Sequence, residues 1–110
     1  MRRDVVVAEP AEQQLRLIDA WWRQNRPAAT GLFEQEFASA TETLATHPGV
    51  GAPVRRRRVK GLRRVLLRST RYHVYYTATD RFVFVLAVWS AVRGSGPPIT
   101  DLSPPESTDP

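Results

Sequence analysis

The side chains with the most chemistry in this sequence are its arginines. Nine of the sixteen Lys and Arg residues fall between positions 55 and 71, in the run Arg55, Arg56, Arg57, Arg58 and Lys60 and then at Arg63, Arg64, Arg68 and Arg71. Guanidinium groups grip carboxylates and phosphates with two parallel hydrogen bonds, so a cluster this dense suits a phosphate-bearing or acidic partner. A basic run is often only a solvated loop; here the charge continues past the run into segments that read as strands. His73 is the residue whose imidazole titrates nearest neutrality in this region, and could act as acid or base. Tyr72, Tyr75 and Tyr76 are able to stack on a ring, although strands favour aromatic residues for packing alone. Arg93 directly follows the most apolar stretch, at a place where the end of a sheet often presents functional groups. The absence of cysteine removes thiolate nucleophiles, disulfides and zinc-thiolate sites, and nothing in the sequence calls for a cofactor or a metal.

Charge is also segregated along the chain. Residues 1 to 50 carry five basic and seven acidic side chains, residues 51 to 93 carry eleven and one, and residues 94 to 110 carry none and three. The positive potential therefore belongs to one contiguous region, which must be built on something rigid to form a surface.

The elements that position it follow from periodicity. Val5, Val6 and Val7 read as a short strand that Pro10 ends, since proline cannot continue a central ladder. Pro10 then suits the first turn of a helix. Ala11, Leu15, Ile18 and Trp22 recur at spacings of four, three and four, which puts them on one face of a helix running to about Asn25. Adjacent helical residues point about 100° apart, so Trp22 fits the apolar stripe and Trp21 falls off it, free to meet a partner. After Asn25-Arg26-Pro27, the stripe resumes at Phe33, Phe37, Ala40 and Leu44 and stops at Pro48-Gly49. Two helices joined so tightly pack as an antiparallel hairpin. Gly49 to Pro53 reads as a turn-rich linker. Three strands follow, over 62 to 69, 72 to 79 and 82 to 89, the last so apolar that both its faces must be covered. Thr79-Asp80-Arg81 is a tight connection between the last two.

With 110 residues and 42% hydrophobic content, the chain can bury about two-thirds of its unfolded surface in a single core. The expected fold class is α+β: an N-terminal strand, a helical hairpin and then a three-stranded antiparallel sheet, in the order β-α-α-β-β-β. Residues 1-99 form the domain, and 100-110, rich in Pro, Ser and acid, form a disordered tail. The apolar start is too short for a signal peptide or a membrane span, which gives the expectation of a cytoplasmic protein with no membrane partner.

Several local motifs in this order resemble the RelE/ParE superfamily of toxins. They are Leu44-Ala45-Thr46-His47-Pro48 followed by Gly51, Gly61-Leu62-Arg63, Tyr72-His73-Val74-Tyr75-Tyr76, and Val88-Trp89-Ser90-Ala91-Val92-Arg93, which together span most of residues 4 to 99. The resemblance implies the toxin of a type II toxin-antitoxin (plasmid stabilization) module, held in a hetero-oligomer by an antitoxin encoded beside it. An acidic and apolar antitoxin tail would complement the basic segment. Arg55, Arg56, Arg57, Arg58, Lys60, Arg63, Arg64, Arg68, Arg93 and Trp21 are the residues expected to meet antitoxin or target.

The superfamily divides by target. RelE-like members cut messenger RNA in the ribosome without a metal, and ParE-like members poison DNA gyrase. Metal-free cleavage needs a base, an acid and cations for the developing phosphorane charge. Against the RelE-like pattern, Arg64 and Arg93 fill two basic positions, His73 stands where an arginine follows the strand tyrosine, Leu66 replaces a second basic residue, and no tyrosine or histidine lies beyond Tyr76. Arg64, His73 and Arg93 are thus the catalytic candidates of an incomplete set. The sequence favours a non-enzymatic gyrase inhibitor, with a ribosome-dependent endoribonuclease as the alternative and a non-toxic nucleic-acid-binding or interaction module as a second.

Overall fold

The valines at the N-terminus open the sheet. In a computed structural model, which describes residues 1–55 and 58–92, β1 (Asp4–Val7) leads directly into α1 (Glu9–Asn25), with proline in its first turn. A single 3-10 turn, Pro27–Ala29, connects α1 to α2 (Thr30–Thr46). A second such turn, Pro48–Val50, ends the helical part at the proline and glycine that the sequence places there. The strands β3 (Arg63–Leu67), β4 (Tyr72–Ala78) and β5 (Phe82–Ser90) follow. One element departs from the sequence reading: within the expected linker, Ala52–Pro53 form a two-residue strand, β2, paired antiparallel to Arg63 and Arg64. So short a pairing has no alternating pattern to announce it.

The sheet order is β1-β5-β4-β3-β2. β1 runs parallel to β5, and the remaining neighbours are antiparallel. β5 therefore has a strand on either side, and its residues from Val83 to Val88 are all buried. Both its faces are covered. Val83, Val85 and Val88 face α1 and α2, while Phe84, Leu86 and Ala87 join Val59, Leu62 and Tyr75 on the far face.

Strict alternation would not place Leu86 and Ala87 together. The register explains it: Tyr75 pairs with Ala87 and Tyr76 with Val85, so Leu86 is the extra residue of a β-bulge. The bulge comes where β1 ends, because Val7 pairs with Val85 and Ala8 donates its N–H to the Val85 carbonyl. Beyond that point the edge of β5 needs another partner, and the side-chain carbonyl of Gln14 on α1 accepts the Val88 N–H at 2.7 Å.

The helical stripes meet the sheet as their spacing requires. Ala11, Leu15, Ile18 and Trp22 of α1, with Phe33, Phe37 and Ala40 of α2, pack on Leu67, Val74, Val85 and Val88. Trp22, 8% exposed, also donates its indole N–H to the Tyr72 hydroxyl at 3.2 Å, and Phe33 meets the Tyr72 ring edge-on. Full burial of each such apolar side chain is worth about 1.5–3 kcal/mol. Among the described residues, no helix is long and apolar enough to cross a membrane.

Candidate interaction surface

β3 carries the arginines, and its pleat separates them. Successive side chains point to opposite faces of a strand, so Arg63 joins the helix side and Arg64 the far side. Arg63 donates to the carbonyl of Gly51 at 2.5 Å and reaches that of Gly49 at 3.4 Å. Much of its charge is thereby spent fixing the turn after α2. Arg64 is exposed and its guanidinium donates to the Tyr75 hydroxyl at 3.3 Å. The expected single basic strand surface is thus divided, with Arg63 inward against the turn and Arg64 outward.

On the far face, Arg64 has His73 and Tyr75 of β4 for neighbours. The rings of His73 and Tyr75 meet edge-on at 6.1 Å. Tyr75 is buried beneath the segment that follows β2, whereas His73 is half-buried. Partial burial, together with the cations of Arg64 and Arg71, holds the His73 imidazole below its ordinary value, because each disfavours a second positive charge. His73 is therefore neutral at physiological pH. Trp89 of β5 lies directly across from it, and Leu66 of β3 on its other side. Sequence reasoning counted Arg71 in the basic cluster but gave Trp89 no part in this surface; its signal is the cross-strand register, which no single strand reveals.

The segment between β2 and β3 is anchored by its apolar residues. Val59 and Leu62 are buried against Phe84 and Tyr75, so Arg55, Arg58 and Lys60 are left exposed around them. Arg56, Arg57 and Arg93 lie outside the described residues, as does the tail expected over 100-110.

The tip of the β3–β4 hairpin carries Arg68 and Arg71, both exposed. Arg71 takes a left-handed backbone conformation with φ of 67°, which turns the chain sharply. α2 supplies the fastening: the Glu36 carboxylate accepts the N–H groups of Ser69 and Thr70 at 2.7 and 3.0 Å and the Thr70 hydroxyl at 2.6 Å. Partial burial works against its ionisation, but these hydrogen bonds outweigh it and lower its pKa. The Arg71 carbonyl in turn accepts the N–H of Ala91, just after β5.

Away from the sheet, Trp21 is 46% exposed on α1 beside Leu17, which is 73% exposed. The guanidinium of Arg26 sits over the Trp21 ring at 5.8 Å. This apolar pair belongs to a surface separate from the arginines of β3. Among the described residues no group of three or more His, Asp and Glu side chains comes together as a metal site would require.

An open groove of about 380 Å³ runs between α2 and the outer edge of β3, lined by Ala40, Thr43, Val50, Val65, Leu66 and Arg68 among others. Val50 and Leu66 are 58% and 41% exposed there. Cations, a neutral imidazole and half-exposed apolar residues thus share one end of the sheet, an arrangement suited to holding an acidic or phosphate-bearing partner.

Comparison with known proteins agrees with this architecture. The chain resembles a chromosomal ParDE toxin-antitoxin system from P. aeruginosa, with a TM-score of 0.63 and 16% identity over 81% of this chain and 96% of that one. It is also similar to a chain of the E. coli DinJ-YafQ toxin-antitoxin complex, with a TM-score of 0.61 and 14% identity over 87% and 100% of the two chains. At such identities the likeness is one of fold. No curated protein matches the chain in sequence. The sequence model of the family described as the ParE toxin of type II toxin-antitoxin systems, parDE, matches residues 5–93, from the first strand through Arg93. The chain belongs to the ParE toxin family of type II toxin-antitoxin systems.

Proposed function

We propose that this toxin acts in the cytoplasm as an inhibitor of DNA gyrase, and that a cognate antitoxin neutralises it by covering the basic end of the sheet. The observation that carries this reading is the incomplete proton chemistry of the far face. Cleavage of RNA without a metal needs one group to take the 2′-hydroxyl proton and another to give one to the leaving oxygen. Neutral His73 is able to do the first. The phenol on that face among the described residues, Tyr75, is only 2% exposed, which keeps its O–H from a substrate's leaving oxygen. A cationic surface without an acid-base pair suits binding better than cleavage. The match to the ParE family supports the same choice.

A ribosome-dependent endoribonuclease is the second reading, favoured by the pairing of a neutral imidazole at His73 with the Arg64 cation beside it. One experiment separates them. Induction of the chain in growing cells, followed by mapping of RNA and DNA, yields intact messages with DNA breaks and an SOS response if gyrase is poisoned. Cuts at fixed codon positions would instead establish the ribonuclease, and normal growth would exclude both.

A further inference from the structure

We propose that the outer face of α1, centred on Leu17, binds the same face of a second copy of this chain, with the two helices antiparallel. This surface is separate from the arginines of β3, and the contact holds whether or not the chain poisons gyrase.

Six charged residues lie between Glu9 and Arg26, and their signs follow one rule. Glu9 and Arg26, Glu12 and Arg23, and Arg16 and Asp19 are placed symmetrically about the midpoint between Leu17 and Ile18, and each couple is of opposite sign. The helix dipole favours acids in the first turn and bases in the last, which accounts for the outer two couples. It gives no reason for Arg16 to precede Asp19 in the middle. A second antiparallel copy reverses the helix about that midpoint, and so sets every charge at the level of one of opposite sign.

The helical geometry puts these charges beside an apolar seam. At about 100° per residue, Gln13, Leu17, Ala20, Trp21 and Gln24 share the face turned away from the core stripe, and all five are exposed. Leu17 and Trp21 are the large apolar residues there, 73% and 46% exposed. Glu12, Arg16, Asp19 and Arg23 form a row along one side of that face. A two-fold axis perpendicular to both helices brings this row against the same row of the second copy. Leu17 then packs beside its own counterpart, and the Trp21 ring reaches the level of Gln13 and Gln14 of the second copy. Among the described residues, Glu12 and Arg16 have no ion-pair partner within the chain, and Arg23 holds only Asp19, at 2.8 Å.

The pattern also selects the occupant. With three acids and three bases the helix has no net charge, so it offers little to the acidic partner that the arginines of the sheet attract. What it complements is its own sequence reversed, the self-complementarity that a two-fold contact requires. One helix pair buries less than the roughly 1,200 Å² at which standard interfaces begin, so the dimer is a weak one that forms as concentration rises.

Sedimentation equilibrium of the full chain, carried up to millimolar concentration, is expected to show monomer passing to dimer. Leu17→Asp, a change at an exposed position, is expected to weaken association about tenfold or more. Glu12→Arg with Asp19→Arg makes the row wholly basic, and Arg16→Glu with Arg23→Glu makes it wholly acidic. Each double variant alone should stay monomeric, and an equimolar mixture of the two should dimerise, a rescue that damage to the fold would not produce. Because the chain has no cysteine, a spin label at Asn25→Cys reports the direction of the helices in the otherwise unaltered protein. In an antiparallel pair it broadens the amides from Ala11 to Gln14 of an unlabelled copy. The proposal is overturned by a parent chain that stays monomeric throughout, by Leu17→Asp dimerising as the parent does, by a mixture that does not associate, or by broadening centred on Asn25.

Discussion

The hydroxyl of Tyr76 accepts the backbone N–H of Gly51 at 2.9 Å, and a Cβ on Gly51 would lie 2.5 Å from that same oxygen. The two residues thus fit only because one has no side chain. The Tyr76 hydroxyl also donates to the Pro48 carbonyl at 2.6 Å, so a fully buried phenol closes both ends of the turn that α2 makes onto the sheet. Burial raises the pKa of this phenol, partly offset by the Gly51 N–H and Arg63, and keeps it protonated to donate. Tyr76→Phe is expected to cost about 1–3 kcal/mol, the penalty of leaving buried partners unpaired. Gly51→Ala should cost a similar amount through displacement of the Tyr76 ring. Denaturant midpoints of the two variants and of their combination check this, with the double variant less than additive because both act on one contact.

Glu36 ties α2 to the arginine-bearing hairpin. Its folded-state pKa is lowered from the usual 4.5, so the stability it contributes is fully present above that ordinary value and is lost as pH falls through the lower folded value. Glu36→Gln retains an acceptor and loses the charge; it is expected to destabilise by about 1–2 kcal/mol at neutral pH. The difference from the parent should vanish in acid. Thermal melts across the acid range measure it, and a constant difference at all pH values would contradict the assignment.

His73 titrates in the opposite electrostatic setting. Because its pKa is lowered from 6.5 by burial and by Arg64 and Arg71, an NMR titration of the ring is expected to show a midpoint below that value, and Arg64→Gln should move it back up. Protonation opposes the fold, so the stability linked to His73 is present above 6.5 and declines as pH falls through the folded value. Under gyrase inhibition, His73→Ala leaves growth arrest intact; its abolition, with a folded protein, would transfer support to the ribonuclease reading.

The adjacent tryptophans of α1 should behave differently. Trp22 is buried in the core and hydrogen-bonded to Tyr72, and Trp22→Ala is expected to cost about 3–5 kcal/mol. Trp21→Ala removes an exposed ring held by Arg26 alone in the described contacts outside its own helix, and should change stability by only about 0.5 kcal/mol. Equal losses from the two would mean that Trp21 is also part of the packing.

Much of this protein is decided locally. The valine strand, the two apolar stripes, the proline stops and the apolar last strand each carry their period in the sequence, and Trp22, Phe33 and Leu44 are buried where that period puts them. The clustering of arginine and the lack of cysteine are likewise fixed by composition. What only the tertiary structure decided depends on residues far apart in the chain. Parallel pairing of β1 with β5 brings Val5 to Val83. The bulge at Leu86 arises where β1 runs out, the two-residue β2 exists because Tyr76 and Arg63 hold Gly51, and the pleat of β3 sends Arg63 inward while Arg64 faces out with His73 and Tyr75. The physical reason is that periodicity reports which face a residue occupies, whereas register and edge exposure are set by which strand lies beside it, and that is a property of the assembled sheet.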